Sequence, residues 1–176
     1  KDKETAPYVN LPVSSSDNWV SYSPTLYWPI YYSNIHFFAS NPNVDEIFTT
    51  SDTFKAEFPY TSPTEPDKNT DLIYAIAPDQ KMKENNSSKV GLEFIHLLSS
   101  IEFKVPETIG DAEISNAIVE ISNIIPSGNC SIEYKQEGYD VVWSSDGNPV
   151  TYIQPINGKD AYNNLIPTVS TKIIPQ

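Results

Sequence analysis

The clearest pattern of apolar and polar positions lies between residues 72 and 105. Leu72 to Ala77 (LIYAIA) is a continuous apolar run closed by Pro78, which predicts a strand buried on both faces. Residues 79–89 are polar and predict a turn. After them, Val90, Leu92 and Phe94 alternate on even positions, whereas Ile101, Phe103 and Val105 alternate on odd ones. A one-residue slip turns every side chain to the other face, so one straight strand cannot bury both sets. The segment therefore needs a bulge or a helical turn at His96 to Ser100.

Other segments are shorter. Ile35 to Ala39 (IHFFA) predicts a strand between Ser-Asn and Ser-Asn-Pro. Val9 to Val13 and Trp19 to Tyr22 are candidate short strands, and Pro29 ends whatever Leu26 to Trp28 forms. Residues 40–70 carry Pro, Ser, Thr and acids and read as a long excursion with at most one strand, around Thr53 to Phe58. Residues 114–125 fit both periods. Ile114, Ile118, Ile121 and Ile125 follow helical spacing, while Ala117, Val119 and Ile121 follow strand spacing. The β-branched content and Pro126-Ser127-Gly128 favour a strand. Further strands are expected at Ser131 to Lys135, Val141 to Trp143, Pro149 to Ile153 and Val169 to Ile174, with turns at Gly128-Asn129 and Asp146-Gly147. A shift in composition near Val105 to Asp111 suggests two domains, 1–107 and 108–176.

Composition sharpens this picture. Of 176 residues, 42 are Ile, Val or Thr and only 16 are Leu, Ala or Met. Branched side chains suit a pleated sheet and lose rotamer freedom in helices, so the expected class is mostly β. The net charge is −12, and all 11 basic side chains are Lys. Without concentrated positive charge the chain is a poor partner for nucleic acid or anionic lipid. One Cys excludes an intramolecular disulfide. No apolar run approaches the ~18 residues of a membrane helix, and no secretory leader pattern is seen.

The chain is poor in catalytic signals. His36 and His96 are sixty residues apart and belong to no local metal motif; both are expected to be half-buried, with ring nitrogens on backbone groups. A Cys130–His96 dyad has no local support. Asp45-Glu46, Glu65, Asp67 and Asp71 read as a solvated acidic loop, with no Ca²⁺-loop spacing. No phosphate loop, GxSxG or CxxC is present. No catalytic residue, cofactor or metal site is therefore expected. The aromatics of the first third, and Trp19, Trp28 and Trp143 in particular, are candidate glycan-stacking residues, against an ordinary packing role.

An ordered set of segments resembles the fimbrillin-like family of type V pilus subunits and anchors. It comprises Trp19, Tyr27-Trp28-Pro29, Ile35-His36-Phe37-Phe38-Ala39, Asp71-Leu72-Ile73-Tyr74-Ala75, and Val90-x-Leu92-x-Phe94-x-His96-x-Leu98-Ser99-x-Ile101-x-Phe103. Ile173-Ile174-Pro175-Gln176 resembles a further element of the family's second domain. Ser40 stands where the family more often has Tyr, and Ile73 where it more often has Leu; both departures are mild.

The resemblance implies transthyretin-like or immunoglobulin-like β-sandwich domains, the first strands missing before Trp19 and the second domain stopping early at Gln176. It implies no enzyme activity and structural roles for Trp28, Phe94 and His96. It also implies export to the cell surface, an outer-membrane lipid anchor not present in this chain, and partnership with other pilus subunits through strand exchange. The function implied is cell adhesion as a fimbrial subunit or adhesin, with a host or bacterial receptor or glycan as a further partner. A carbohydrate-binding outer-membrane lipoprotein on the same scaffold is the alternative.

Overall fold

The computed structural model describes residues 28, 34–44, 47–49, 54–65, 68–81, 90–104, 108–113, 117–135, 137–156 and 168–176. Among them there are strands and no helix. The chain divides into two units, Lys1–His36 with Asp79–Val90, and Phe37–Pro78 with Gly91–Gln176. The expected strands at Val9 to Val13 and Trp19 to Tyr22, and the acidic pair Asp45-Glu46, lie outside the described residues.

A four-stranded antiparallel sheet forms the centre of the larger unit. It is built from β2 (Ile47–Thr49), β3 (Lys55–Thr61), β10 (Ser127–Lys135) and β11 (Gly138–Ser145), in the order β11-β10-β3-β2. The excursion over 40–70 thus carries two strands, not one. A second sheet has the order β1-β4-β5, from β1 (Ile35–Asn41), β4 (Ile73–Gln80) and β5 (Ile95–His96). Three two-stranded sheets complete the fold. β6 (Ser99–Lys104) pairs with β13 (Thr168–Ile173), and β9 (Ala117–Ile124) with β12 (Val150–Ile156). β7 (Thr108–Ile109) and β8 (Ala112–Glu113) form a small hairpin turning at Gly110, whose φ of 61° suits glycine. The β3–β10 and β6–β13 ladders both join strands from either side of residue 107.

The core follows from strand alternation. On the central sheet the inward row runs Phe58–Cys130–Trp143, and the next row runs Ala56–Ile132–Val141. Ala56, Phe58, Cys130 and Ile132 are buried, and they cluster with Leu72, Tyr74 and Ile76 of the facing segment, and with Leu97, Leu98 and Ile174. Phe58 and Tyr74 stack across the two layers, with ring centroids 6.0 Å apart. This is a β-sandwich core of antiparallel sheets. The opposite face of the central sheet carries Lys55, Glu57, Ser131, Glu133, Asp140 and Val142, as the period of two demands.

The parity switch after Phe94 has a different cause from the one expected. Neither a helical turn nor a bulge is present. Val90 to Phe94 alternates between half-buried and exposed, but forms no ladder. β5 then pairs briefly with β4, Ile73 opposite His96 and Tyr74 opposite Ile95. Leu97 still donates its N–H to Leu72 O at 2.9 Å, Leu97 and Leu98 are both buried, and β6 then pairs with β13 instead. The chain changes sheet, and the change resets which positions face inward.

The apolar run 72–77 is buried on both faces as expected, but the strand continues through Pro78 to Gln80. Its pairing with β5 stops at Tyr74, so Pro78 lies where no β5 amide partner is needed. Within the 114–125 segment the described residues form the strand β9, and it contains a bulge. Its register against β12 shifts between Val150 and Tyr152, opposite Asn123, which has a φ of 65°. The extra residue lets both Ile121 and Ile124 turn partly inward while Ile118 stays 65% exposed.

The two expected turns are placed differently. Gly128-Asn129 lies inside β10, where an added Cβ on Gly128 would sit 2.7 Å from the Ser144 carbonyl oxygen. Close backbone approach, rather than a turn, requires that glycine. Asp146-Gly147 does turn the chain, but β11 and β12 belong to different sheets. The hairpin within the central sheet joins Lys135 to Gly138.

Candidate functional site

Two side-chain carboxamides secure main-chain groups at strand margins. Asn69 accepts from the Lys172 N–H at 2.6 Å and donates to the Lys172 carbonyl at 2.9 Å. It also donates to Pro63 O and Ser62 Oγ and accepts from Thr171 Oγ1. Gln176 does the same at Ile125, accepting from its N–H at 3.1 Å and donating to its carbonyl at 3.2 Å. An amide side chain has one acceptor and two donors, so it can imitate a neighbouring strand. Ser62 joins this network through its N–H to Pro126 O, and the buried Tyr152 hydroxyl donates to Ser62 O.

β11 differs. Among the described residues its main-chain ladder is with β10 alone, and it forms one margin of the central sheet. All eight of its residues are in register with β10, from Gly138 opposite Lys135 to Ser145 opposite Gly128. It contains neither Lys nor Pro, the residues that most often blunt an edge. Its single carboxylate, Asp140, is held by Lys135 at 2.7 Å on the outer face. That pairing raises the affinity of Lys135 for its proton.

A groove of about 400 Å³ runs along the inner side of this strand. Val141 and Trp143 line one wall and Leu97 and Leu98 the other, with His96, Ser99 and Gln176 among the remaining lining residues. The Trp143 indole N–H donates to Leu97 O at 3.0 Å, and Tyr60 meets the indole edge-on. Tyr139 donates from its hydroxyl to Ile76 O and accepts from the Ile76 N–H. Burial holds its phenol protonated above the usual range. These contacts hold Tyr139 and Trp143 against the facing segments.

The residues singled out from the sequence fall in several places. Trp19 lies outside the described residues. Trp28, in the smaller unit, is half-buried. Trp143 is half-buried on the groove wall. His36 behaves as expected, its Nδ1 accepting from the Asp79 N–H at 2.9 Å. His96 does not. Its side chain is 74% exposed, and its Nδ1 meets the Asp71 carboxylate rather than a backbone group. The same carboxylate lies 3.7 Å from Lys172. Cys130 is buried in the core and burial pushes its thiol up to about 12, so it is not a reactive thiolate. Glu65 is exposed and pairs with Lys68. Among the described residues no group of three or more His, Cys, Asp or Glu could hold a metal.

Sequence reasoning missed the groove. Val141 and Trp143 read only as strand residues, and nothing local shows that β11 ends a sheet. The available signal was the absence of Lys and Pro from an eight-residue strand.

Comparison with known proteins adds the family. No curated protein and no solved structure matches the chain. The model of the fimbrillin-like family, by contrast, matches residues 1–175. That match takes in the strands on both sides of the central sheet and both walls of the groove, and with it an all-antiparallel β architecture that carries a long margin strand; the chain belongs to the fimbrillin-like family.

Proposed function

We propose that the protein is a surface-displayed fimbrial subunit that assembles with other subunits by strand complementation and serves cell adhesion. The observation that carries this reading is β11, which is paired on one side among the described residues and backed by a groove whose lining holds no acidic residue and no Lys. A sheet margin presents unpaired N–H and C=O groups, and an added strand satisfies them. Affinity then comes from the main chain, and selectivity from the pockets that receive alternate side chains. The family supports the coarser part, an exported fimbrial subunit that assembles with others of its kind. Anchoring at the outer membrane and the adhesive role belong to the same proposal.

The purified chain is expected to form concentration-dependent higher species in sedimentation velocity and short fibres by electron microscopy. A chain that stays monomeric up to about 1 mM, where an association of roughly 4 kcal/mol already populates complexes, overturns the reading.

A further inference from the structure

We propose that Asp71 and Lys172 join through a covalent side-chain amide within the folded chain, with His96 as the proton carrier of the reaction. The segment that enters β4 and strand β13 are thereby cross-linked. The proposal is independent of the strand-complementation reading above.

Three side chains meet at one carboxylate oxygen. Asp71 Oδ2 meets His96 Nδ1 and lies 3.7 Å from Lys172 Nζ. Each of the three residues is followed by a buried aliphatic one, Leu72, Leu97 or Ile173. The polar groups therefore leave the main chain at the rim of the core, where the Lys172 and Asp71 side chains are only 25% and 22% exposed. The main chains that carry them are tied to one another. The Leu97 N–H donates to Leu72 O at 2.9 Å, and Ile73 pairs with His96. Asn69 brackets Lys172 through its N–H and its carbonyl. Amine and carboxyl are thus held as neighbours by bonds that do not involve their charges. Such placement raises the effective concentration of two reacting groups by orders of magnitude.

The other carboxylate oxygen supplies the reason to react. Asp71 Oδ1 is buried, and no described residue donates to it. An unpaired acceptor costs most when it carries charge. The ion pair does not relieve it, because His96 and Lys172 both lie on Oδ2. Amide formation does: the charge disappears from both partners, and Oδ1 remains as a neutral carbonyl oxygen. An ordinary surface ion pair has no such drive, because water solvates both of its ions.

The step is a condensation. In its reactive form the pair holds a proton on Oδ2 and leaves the amine neutral. The Lys172 Nζ lone pair attacks Asp71 Cγ and forms the N–C bond. His96, in contact with Oδ2, moves one proton from Nζ to that oxygen. The Cγ–Oδ2 bond breaks, and Oδ2 leaves with its two protons as water. Nothing is oxidised or reduced, and no co-reactant is needed. The link closes a loop from residue 71 to residue 172, which takes in the strands from β4 to β12. A pull on the two ends of the chain then passes through the cross-link and spares those strands.

The test is the intact mass of the purified chain, followed in time after synthesis, with fragmentation of its proteolytic peptides. The wild-type chain is expected to become lighter by one water, and the peptides holding Asp71 and Lys172 to appear as one branched species. Lys172→Arg keeps the positive charge but has no nucleophilic amine, so it is expected to keep its full mass and to unfold cooperatively. His96→Ala is expected to lose water about a hundredfold more slowly, with added imidazole restoring part of the rate. A wild-type chain that keeps its full mass after days in neutral buffer overturns the proposal. So does a water loss that survives in Lys172→Arg, which places the loss elsewhere, as at the exposed Asp146-Gly147 turn. Equal rates for wild type and His96→Ala overturn the role of His96.

Discussion

Among the described residues, two unpaired stretches of the central sheet are built in opposite ways. On one side, β2 covers β3 only from Lys55 to Glu57, leaving Phe58 to Thr61 uncovered among the described residues. Pro59 sits in that stretch. The Tyr134 N–H donates to Phe54 O and main-chain groups alternate along a strand, so the Pro59 nitrogen points away from β10, to the side where a new strand would bind. Proline has no N–H to offer there, so this stretch is blocked. On the other side, β11 runs eight residues with no proline and no lysine, and a groove lined by Val141, Trp143, Leu97 and Leu98 lies beneath it. Among the described residues, one sheet thus carries a blocked stretch and an unblocked one. The difference rests on one ring on β3 and on what β11 lacks.

Breaking the shared core should remove both margins at once. Phe58 is 1% exposed, opposite Cys130, and stacked on Tyr74. Phe58→Ala is expected to cost about 3–5 kcal/mol in urea unfolding. A cost below about 1 kcal/mol would mean the two layers do not bear on each other there.

A margin elsewhere is closed by a side chain, and its removal should cost less. Asn69→Ala strips the carboxamide from the Lys172 N–H and carbonyl. Leaving such part-buried groups unpaired is expected to cost about 2–3 kcal/mol. Asn69→Asp separates shape from chemistry. It keeps the acceptor for the Lys172 N–H and loses the donor to its carbonyl, so it should fall between wild type and Asn69→Ala.

Alkaline pH tests the floor between the two margins. The Cys130 thiol is raised from 9.0 to about 12 by burial. Burial also raises Tyr60, Tyr139 and Tyr152. A group that gives up its proton less readily when folded favours the folded state fully below its unfolded pKa. Stability should therefore be flat below about pH 9 and fall as pH rises from there toward 12. Cys130→Ser should leave less of that fall, and equal slopes for the two proteins would remove Cys130 as a contributor.

The smallest effect on stability sharpens the comparison most. Pro59→Val restores an N–H at the blocked margin, on an exposed position. Stability should change by no more than about 0.5 kcal/mol. Self-association should nevertheless rise, because β3 then offers a second acceptor stretch; unchanged sedimentation would show that proline is not what closes it.

Much of the strand content was legible. Ile35 to Ala39, Leu72 to Ala77 and the β-branched run from Ala117 fall in strands because their apolar spacing is local and suits a pleated surface. The Pro- and Ser-rich stretch over 40–70 hid β2 and the end of β3 from Pro59 to Thr61. Pro59 argues against a strand unless one knows that its nitrogen faces an uncovered margin. The parity change after Phe94 was visible, but its cause was not. A bulge, a helical turn and a change of sheet all reset alternation in the same way. The Asn123 bulge was hidden behind two periods that fitted equally well, since an extra residue in a strand imitates a step of a helix.

The amino-acid order alone determined that this chain forms short antiparallel strands, that it lacks the motifs of catalysis, and that its ordered segments resemble the fimbrillin-like family. Only the tertiary structure decided that β3 pairs with β10, that Asn69 reaches Lys172 across 103 positions, and that β11 ends a sheet among the described residues. The reason is physical. Alternation reports which face of a strand is buried, a local property of its own side chains. Which neighbour takes its hydrogen bonds is settled between main chains that are identical from residue to residue. Open and closed margins are therefore written in pairing and not in pattern.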